Sequence, residues 1–242
     1  MLFRSGRQPG SSAIAATATA SRTAQEPAQT RSESDAPFLA RLPYTQREAA
    51  SIASLLPADQ TSLQVGFAAQ KQAILDGALT HYRWIHLATH GVLDSTHPDR
   101  SGLVFSRFDE SGRPLDGDLR LREIYGLSLS ADLVVLSACQ TAIGRLVRRD
   151  GLISLTRGFL HAGARSVLAT LWPVDDQATS RLMYEFYRGL LGDHLSPALA
   201  LARAKRVMHD DQRFHAPFYW AGFVLHGDWQ TAPAGRQSPR RN

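Results

Sequence analysis

The chain has 242 residues, of which 43% are hydrophobic, and it contains one cysteine. This length and composition suit a single globular domain with a sizeable core. One cysteine excludes an internal disulfide framework, which favours a reducing, cytoplasmic compartment. No run of about 18 apolar residues occurs, so we expect no transmembrane helix and no membrane partner.

Most of the positive charge lies at the two ends of the chain. The net charge is +5, of which residues 1–36 carry +1 and residues 230–242 carry +3. Both segments lack a sustained apolar period, which predicts a disordered lead-in over 1–36 and a disordered tail over 230–242. The folded part, residues 37–229, keeps only +1. A nucleic-acid-binding domain usually carries a basic stripe, so we expect no nucleic-acid partner.

Helix and strand patterns alternate along residues 37–229. Apolar residues either recur at helical spacing or run continuously over short stretches typical of buried strands. The predicted helices span residues 46–56, 69–79, 120–125, 151–162 and 176–191, with a last one that starts at 197 after a Ser196 cap. The predicted strands span residues 83–89, 102–106, 132–138, 165–171 and 219–226.

This alternation predicts an α/β fold in which a mainly parallel central sheet is covered by helices on both faces. Catalytic and ligand-binding groups of such sheets lie beyond the C-terminal ends of the strands. His90 follows the strand at 83–89, and Cys139 follows the strand at 132–138. The sequence contains no phosphate-binding loop, dinucleotide fingerprint or serine-hydrolase elbow.

His90 and Cys139 have the chemistry of a base and a nucleophile. A lone cysteine with a histidine about 50 residues upstream is the arrangement of caspase-type peptidases, and here the offset is 49 residues. We predict that Cys139 attacks a carbonyl carbon, that His90 transfers the proton, and that the backbone N–H groups of Gly91 and Cys139 stabilise the oxyanion. A small buried cysteine and a structural histidine remain the alternative interpretation.

His86 precedes His90 by four residues, a spacing that resembles a zinc motif. On a helix this spacing brings two imidazoles together, but on a strand the two residues lie roughly 13 Å apart. We therefore expect His86 to be a core residue, and we expect no metal site and no cofactor.

Three aspartates are candidates for a substrate pocket. Asp175 and Asp176 follow the strand at 165–171. We expect one of them to cap the next helix, whereas the other could pair with a basic substrate side chain. Asp94, in the loop after His90, is the third candidate.

Four segments of the chain resemble a known family in their sequence and order. The segments are residues 86–91 (HLATHG), 133–141 (LVVLSACQT), 163–176 (GARSVLATLWPVDD) and 219–228 (YWAGFVLHGD). They resemble the CHAT domain, named for caspase-HetF associated with tetratricopeptide repeats, and the likeness covers about residues 40–229. The family is common in bacteria.

The resemblance implies a three-layer caspase-like fold, related to separases and gingipains, over residues 37–229. It also implies a cysteine endopeptidase whose dyad is His90 and Cys139 and whose substrate is a protein or peptide. Relatives often cleave after a basic residue, and they are often joined to tetratricopeptide repeats and activated by a partner.

Two departures from the family pattern keep other functions open. Ala142 stands where members commonly have glycine after the cysteine, and the chain carries no tetratricopeptide repeats. The main alternative is a catalytically silent caspase-like scaffold or binding module. A second alternative is a different thiol chemistry, such as acyl transfer or redox sensing. A redox sensor would need a second, resolving cysteine, which this sequence lacks.

Overall fold

A computed structural model of the chain describes residues 2–3, 42–93, 101–137, 139–142 and 150–230. Its helices are α1 (Pro43–Ala53), α2 (Lys71–Leu75), α3 (Leu121–Tyr125), α4 (Asp150–His161), α5 (Asp176–Tyr187) and α6 (Pro197–Asp210). Its strands are β1 (Leu2–Phe3), β2 (Thr61–Ser62), β3 (Trp84–Leu87), β4 (His90–Leu93), β5 (Gly102–Val104), β6 (Asp118–Arg120), β7 (Leu133–Leu136), β8 (Cys139–Ala142), β9 (Ser166–Thr170) and β10 (Phe223–Gly227).

The central sheet has a parallel middle and antiparallel flanks. The order of its described strands is β10-β9-β7-β3-β1-β2. Strands β9, β7 and β3 run parallel, whereas β10 pairs antiparallel with β9, and β1 pairs antiparallel with β3 and β2. Every residue of β3, β7 and β9 is buried, as continuous apolar strands covered on both faces require.

Helices cover both faces of this sheet, which confirms the predicted three-layer α/β fold. Leu133 and Val135 of β7 pack with residues of α1, α5 and α6 in one core cluster. Val134 and Leu136 of the same strand pack with residues of α2, α3 and α4 in the other. This alternation is the two-residue side-chain period of a strand, applied to a sheet with two apolar faces. Within the described residues, no helix is long and apolar enough to cross a membrane.

A second, smaller sheet continues from the central one. Its described strands have the order β6-β5-β4-β8, in which β4 and β8 are parallel and the other pairs are antiparallel. The sequence predicted that two strands end before His90 and Cys139. Both strands do end there, at Leu87 and Leu136. In addition, His90 and Cys139 each begin a new strand, because β4 pairs with β5 and with β8.

Several element boundaries differ from the sequence prediction. The helix expected over 69–79 is interrupted by Gly77, whose φ of 78° lies in the left-handed region. The helix expected to reach residue 191 changes to a π-helical turn at Arg188. The last strand starts at Phe223, because Pro217–Tyr219 form a 3-10 turn. The predicted Ser196 cap is confirmed, since its hydroxyl accepts the Leu199 N–H.

The ends of the chain fall largely outside the described residues. Within the predicted lead-in over 1–36, Leu2–Phe3 form β1 between β3 and β2, so two of these residues are part of the central sheet. Residues 4–36 of the lead-in, and residues 231–242 of the predicted tail, lie outside the description.

Candidate active site

The sheet places His90 and Cys139 side by side. The parallel ladder of β3 and β7 pairs Leu87 with Leu136, and the ladder of β4 and β8 pairs His90 with Cys139. Both ladders pair residues that are 49 positions apart in the chain. The 49-residue separation of His90 and Cys139 in the sequence is therefore also their pairing register. Neighbouring strands lie about 4.8 Å apart, which is a backbone separation that a cysteine–histidine pair can span.

The backbone around His90 is enclosed. His90 is only 6% exposed, and Thr89 and Ser137 beside it are also buried. The Thr89 hydroxyl donates a hydrogen bond to the Val104 carbonyl, which ties the start of β4 to β5. His90 therefore presents little surface to a substrate in this structure.

The two backbone positions predicted to stabilise an oxyanion differ in their surroundings. Gly91 pairs with Leu103 of β5 on one side and with Gln140 of β8 on the other. In a strand flanked on both sides, each N–H points toward one neighbour, so Gly91 can offer its N–H to a substrate only if a neighbour separates. In contrast, β8, which begins at Cys139, is an edge strand of the smaller described sheet. Alternate backbone N–H groups of an edge strand point away from the sheet and lack a strand partner.

His86 belongs to the core, as predicted, within a fully buried polar cluster. Its Nε2 lies 2.7 Å from Glu48 Oε1 on α1, and its Nδ1 lies 3.3 Å from the Tyr187 hydroxyl on α5. Burial lowers the pKa of His86 despite the neighbouring Glu48, and burial raises the pKa of Tyr187. A neutral imidazole fits both contacts, since Nε2–H donates to Glu48 and Nδ1 accepts from the tyrosine hydroxyl.

The sequence offered one signal for this cluster. Glu48 lies four residues before Ile52, which puts a carboxylate on the apolar stripe of α1. A buried acid requires a polar partner. The pattern of α1 alone did not identify His86 as that partner.

The aspartates expected near a substrate are bound to helix starts. The Asp175 carboxylate caps α5 by accepting the Ala178 N–H at 2.8 Å. Asp176 accepts the Tyr44 N–H in the first turn of α1, also at 2.8 Å. Asp175 remains exposed, whereas partial burial raises the pKa of Asp176. Asp94 lies outside the described residues.

Metal binding finds no support in the described part of the chain. There, no group of three histidine, cysteine, aspartate or glutamate residues could hold a metal ion.

A mainly parallel sheet between two helical layers defines a three-layer α/β domain, in which His90 and Cys139 are register partners on neighbouring strands. The model of the CHAT domain family matches residues 3–228. The chain therefore belongs to the CHAT domain family.

Two mammalian proteins are similar to the chain in sequence. It is 33% identical over 216 residues to tetratricopeptide repeat protein 28 of Mus musculus, a match that takes in 77% of this chain and 8% of that protein. The identity to the Homo sapiens protein of the same name is 32% over 216 residues, with the same coverage. The chain thus spans less than a tenth of the length of these relatives. Neither supports the bacterial source that the resemblance suggested.

Two solved structures are similar to the fold. Both are of the Saccharomyces cerevisiae separase–securin complex, determined at 3.0 Å and 2.6 Å. The first has a TM-score of 0.49 and 17% identity, and the match covers 89% of this chain and 12% of that one. The second has a TM-score of 0.47 and 15% identity, over 91% and 12% of the two chains.

Proposed function

We propose that this domain is a CHAT-type cysteine endopeptidase that cleaves a protein partner through Cys139 and His90. The observation that carries the proposal is the shared register of 49 residues, which makes the two residues direct neighbours on parallel strands. The family membership supports the same chemistry.

The proposed reaction passes through an acyl-enzyme. His90 takes the proton of the Cys139 thiol, and the thiolate attacks the carbonyl carbon of the scissile peptide bond. Backbone N–H groups of Cys139 and Gly91 stabilise the oxyanion that develops. His90 then protonates the leaving amine, and it activates the water that hydrolyses the thioester.

We propose that the free domain is in a resting state. His90 is 6% exposed, and Gly91 lies between two paired strands. We propose that activation moves β8 or β5 away from β4, which would release the Gly91 N–H and loosen the packing around His90. A protein partner could supply the energy for this separation. A tetratricopeptide-repeat segment is a candidate, because both curated relatives are named for such repeats.

We propose that cleavage follows a basic residue and that Asp175 contributes to this preference. Asp175 is exposed and follows the C-terminal end of β9. Its role as a helix cap uses one carboxylate oxygen, Oδ1, so the other oxygen can pair with a guanidinium group. Asp176 is the weaker candidate, because its carboxylate binds the start of α1.

The burial of His90 also favours a second candidate function, a catalytically silent protein-binding module. Such a module would use the same fold to hold a partner without cleaving it. The two functions make opposite predictions for the cysteine: a Cys139→Ala scaffold keeps its partner and its phenotype, whereas a Cys139→Ala peptidase loses its product.

The deciding experiment is a cleavage screen with a peptide library that contains arginine or lysine at varied positions. The wild-type chain, Cys139→Ala and His90→Ala would be compared by mass spectrometry of the products. Because the free domain is proposed to rest, each reaction also contains a tetratricopeptide-repeat protein as activator, and the proposal predicts that in these reactions wild type alone cleaves after basic residues. Equal cleavage by either variant would refute the dyad, and a wild type that binds peptides without cleaving any would favour the scaffold.

A further inference from the structure

A polar cleft of about 530 Å³ lies between α1 and α5, away from the predicted dyad. Its α5 side is a stripe of Gln177, Ser180, Arg181 and Tyr184. These residues have the i, i+3, i+4, i+7 spacing of one helical face. The cleft volume falls within the range of about 300 to 1,000 Å³ typical of ligand sites.

The other wall of the cleft comes from α1 and from the segment after α6. Tyr44, Arg47 and Ser51 line it from α1, and Arg213 and Phe214 line it beyond the end of α6. The described lining thus contains three arginines and no carboxylate. Hydroxyl groups and aromatic rings complete a surface that combines positive charge with flat apolar contacts.

The positive charge of the cleft is only partly compensated. Within the described residues, Arg47 makes no ion pair, and its guanidinium lies 5.4 Å from the centre of the Tyr44 ring. Arg181 lies 3.1 Å from Glu185, but this carboxylate also binds Arg188 at 2.8 Å. Two guanidinium groups therefore share Glu185, and Arg181 also interacts electrostatically with Asp211, which binds Arg213.

The third arginine of the cleft is paired but remains accessible. Arg213 lies 2.9 Å from Asp211 and stacks over Phe214 at 5.3 Å. Its side chain is 69% exposed, so the guanidinium keeps donors for a second carboxylate. The cleft is therefore an acceptor for negative charge centred on Arg47 and Arg181.

We propose that this cleft binds an acidic peptide segment of a partner protein, a function that is independent of the proposed peptidase activity. The guanidinium groups match carboxylates in bidentate geometry. The α5 stripe is about 10 Å long, from the helical rise of 1.5 Å per residue. An extended peptide advances about 3.3 Å per residue, so three or four residues fill it.

The position of Asp176 orients this peptide. Its carboxylate lies on the Tyr44 N–H at one end of the cleft and disfavours an acidic side chain there. The acidic residues of the partner therefore face Arg47 and Arg181. A nucleic acid fits less well, because its binding requires a longer basic track, and the charge of residues 37–229 is only +1.

The test is a fluorescence-anisotropy titration of the full chain with a labelled peptide, Gly-Ser-Glu-Asp-Glu-Gly-Ser. The control peptide replaces the acids by their amides, as Gly-Ser-Gln-Asn-Gln-Gly-Ser. We expect binding of the acidic peptide alone, about tenfold weaker in Arg47→Ala and in Arg181→Gln and weakened by salt. Arg122→Ala, an exposed arginine of α3 on the opposite face of the sheet, is the matched control and should bind like wild type.

Several outcomes would overturn the proposal. These are no binding of the acidic peptide, equal binding of the amide peptide, unchanged affinity in Arg47→Ala, or tighter Arg47-dependent binding of a single-stranded RNA of the same length. Cys139→Ala should bind as wild type does, so this experiment separates the cleft from the peptidase proposal. Circular dichroism of each variant shows whether a loss of binding reflects a loss of fold.

Discussion

Replacing Glu48 by glutamine tests the protonation state of the buried cluster around His86. Glu48 and His86 have fully buried side chains, with Oε1 and Nε2 2.7 Å apart. If the imidazole is neutral, a glutamine amide oxygen can accept the same hydrogen bond. If the imidazole is charged, the substitution leaves a buried cation without its counter-ion.

The two states predict different magnitudes. Breaking a buried ion pair destabilises a protein by about 3–5 kcal/mol. With a neutral His86, the amide nitrogen takes the place of Glu48 Oε2, which has no hydrogen-bond partner among the described residues. The amide donor replaces an oxygen that is already unsatisfied, so the two costs, each about 1–3 kcal/mol, largely cancel. We therefore expect Glu48→Gln to change the free energy of unfolding by at most about 1 kcal/mol.

Urea unfolding followed by tryptophan fluorescence measures this change. With a slope of about 2 kcal/mol per molar urea, we expect the midpoint to move by no more than about 0.5 M. Glu110→Gln, at an exposed turn position, controls for the removal of a surface charge. A midpoint lowered by about 1.5 M or more in Glu48→Gln alone would refute the neutral assignment of His86.

Three further predictions follow from the geometry. Because burial lowers the pKa of His86 below its usual 6.5, the unfolded chain binds a proton first as the pH falls, and the free energy of unfolding should decrease below about pH 6.5. In urea titrations at pH 7 and pH 5, His86→Gln should reduce this pH dependence of stability, and an equal dependence in wild type and variant would contradict the prediction. Gly163 has a φ of +110°, and an added Cβ would lie 2.3 Å from the Leu129 carbonyl oxygen, so Gly163→Ala should lower the free energy of unfolding by about 2 kcal/mol or more. The control Gly192→Ala, which has open space around its Cβ position, should change that free energy by less than about 1 kcal/mol. Asp175→Asn should keep the α5 cap and hence the melting temperature while lowering turnover of arginine substrates by about tenfold; unchanged substrate preference would remove Asp175 from the pocket.

The parallel core could be predicted because its evidence is local. The strands around Ile85, Val134 and Leu168 are continuous apolar runs separated by helical patterns, and only a two-faced sheet buries such strands. The register itself is known only from the paired strands, where it equals the 49-residue offset. The offset of 49 residues between His90 and Cys139 was visible before the sheet was known.

The second sheet could not be predicted from these patterns. Its strands β4 and β8 begin at His90 and Cys139 and contain polar residues that break the apolar run. The pairing of β4 depends on β5, which starts at Gly102 and follows a separate segment of the chain. Such nonlocal hydrogen bonds leave little signal in the pattern of a single strand.

The site shows the same division between local and nonlocal evidence. The sequence predicted that Asp175 or Asp176 caps a helix, but both can do so at the start of α5. Which aspartate caps α5 depends on Tyr44, whose N–H donates a hydrogen bond to the Asp176 carboxylate. Tyr44 lies 132 residues from Asp176 in the sequence. The cleft beside Arg47 was missed for the same reason, because its walls come from separate helices.

The central claim is that His90 activates Cys139, and the most direct measurement is the pH dependence of cysteine alkylation. Since Cys139 is the single cysteine, the rate of iodoacetamide labelling, read by intact mass, reports on that thiol alone. A free thiol has a pKa of about 8.5, and a neighbouring imidazolium lowers it. We expect the labelling rate of wild type to titrate with a midpoint below about 7.5 and the midpoint of His90→Ala to rise to about 8.5. Equal midpoints in the two proteins would contradict the dyad.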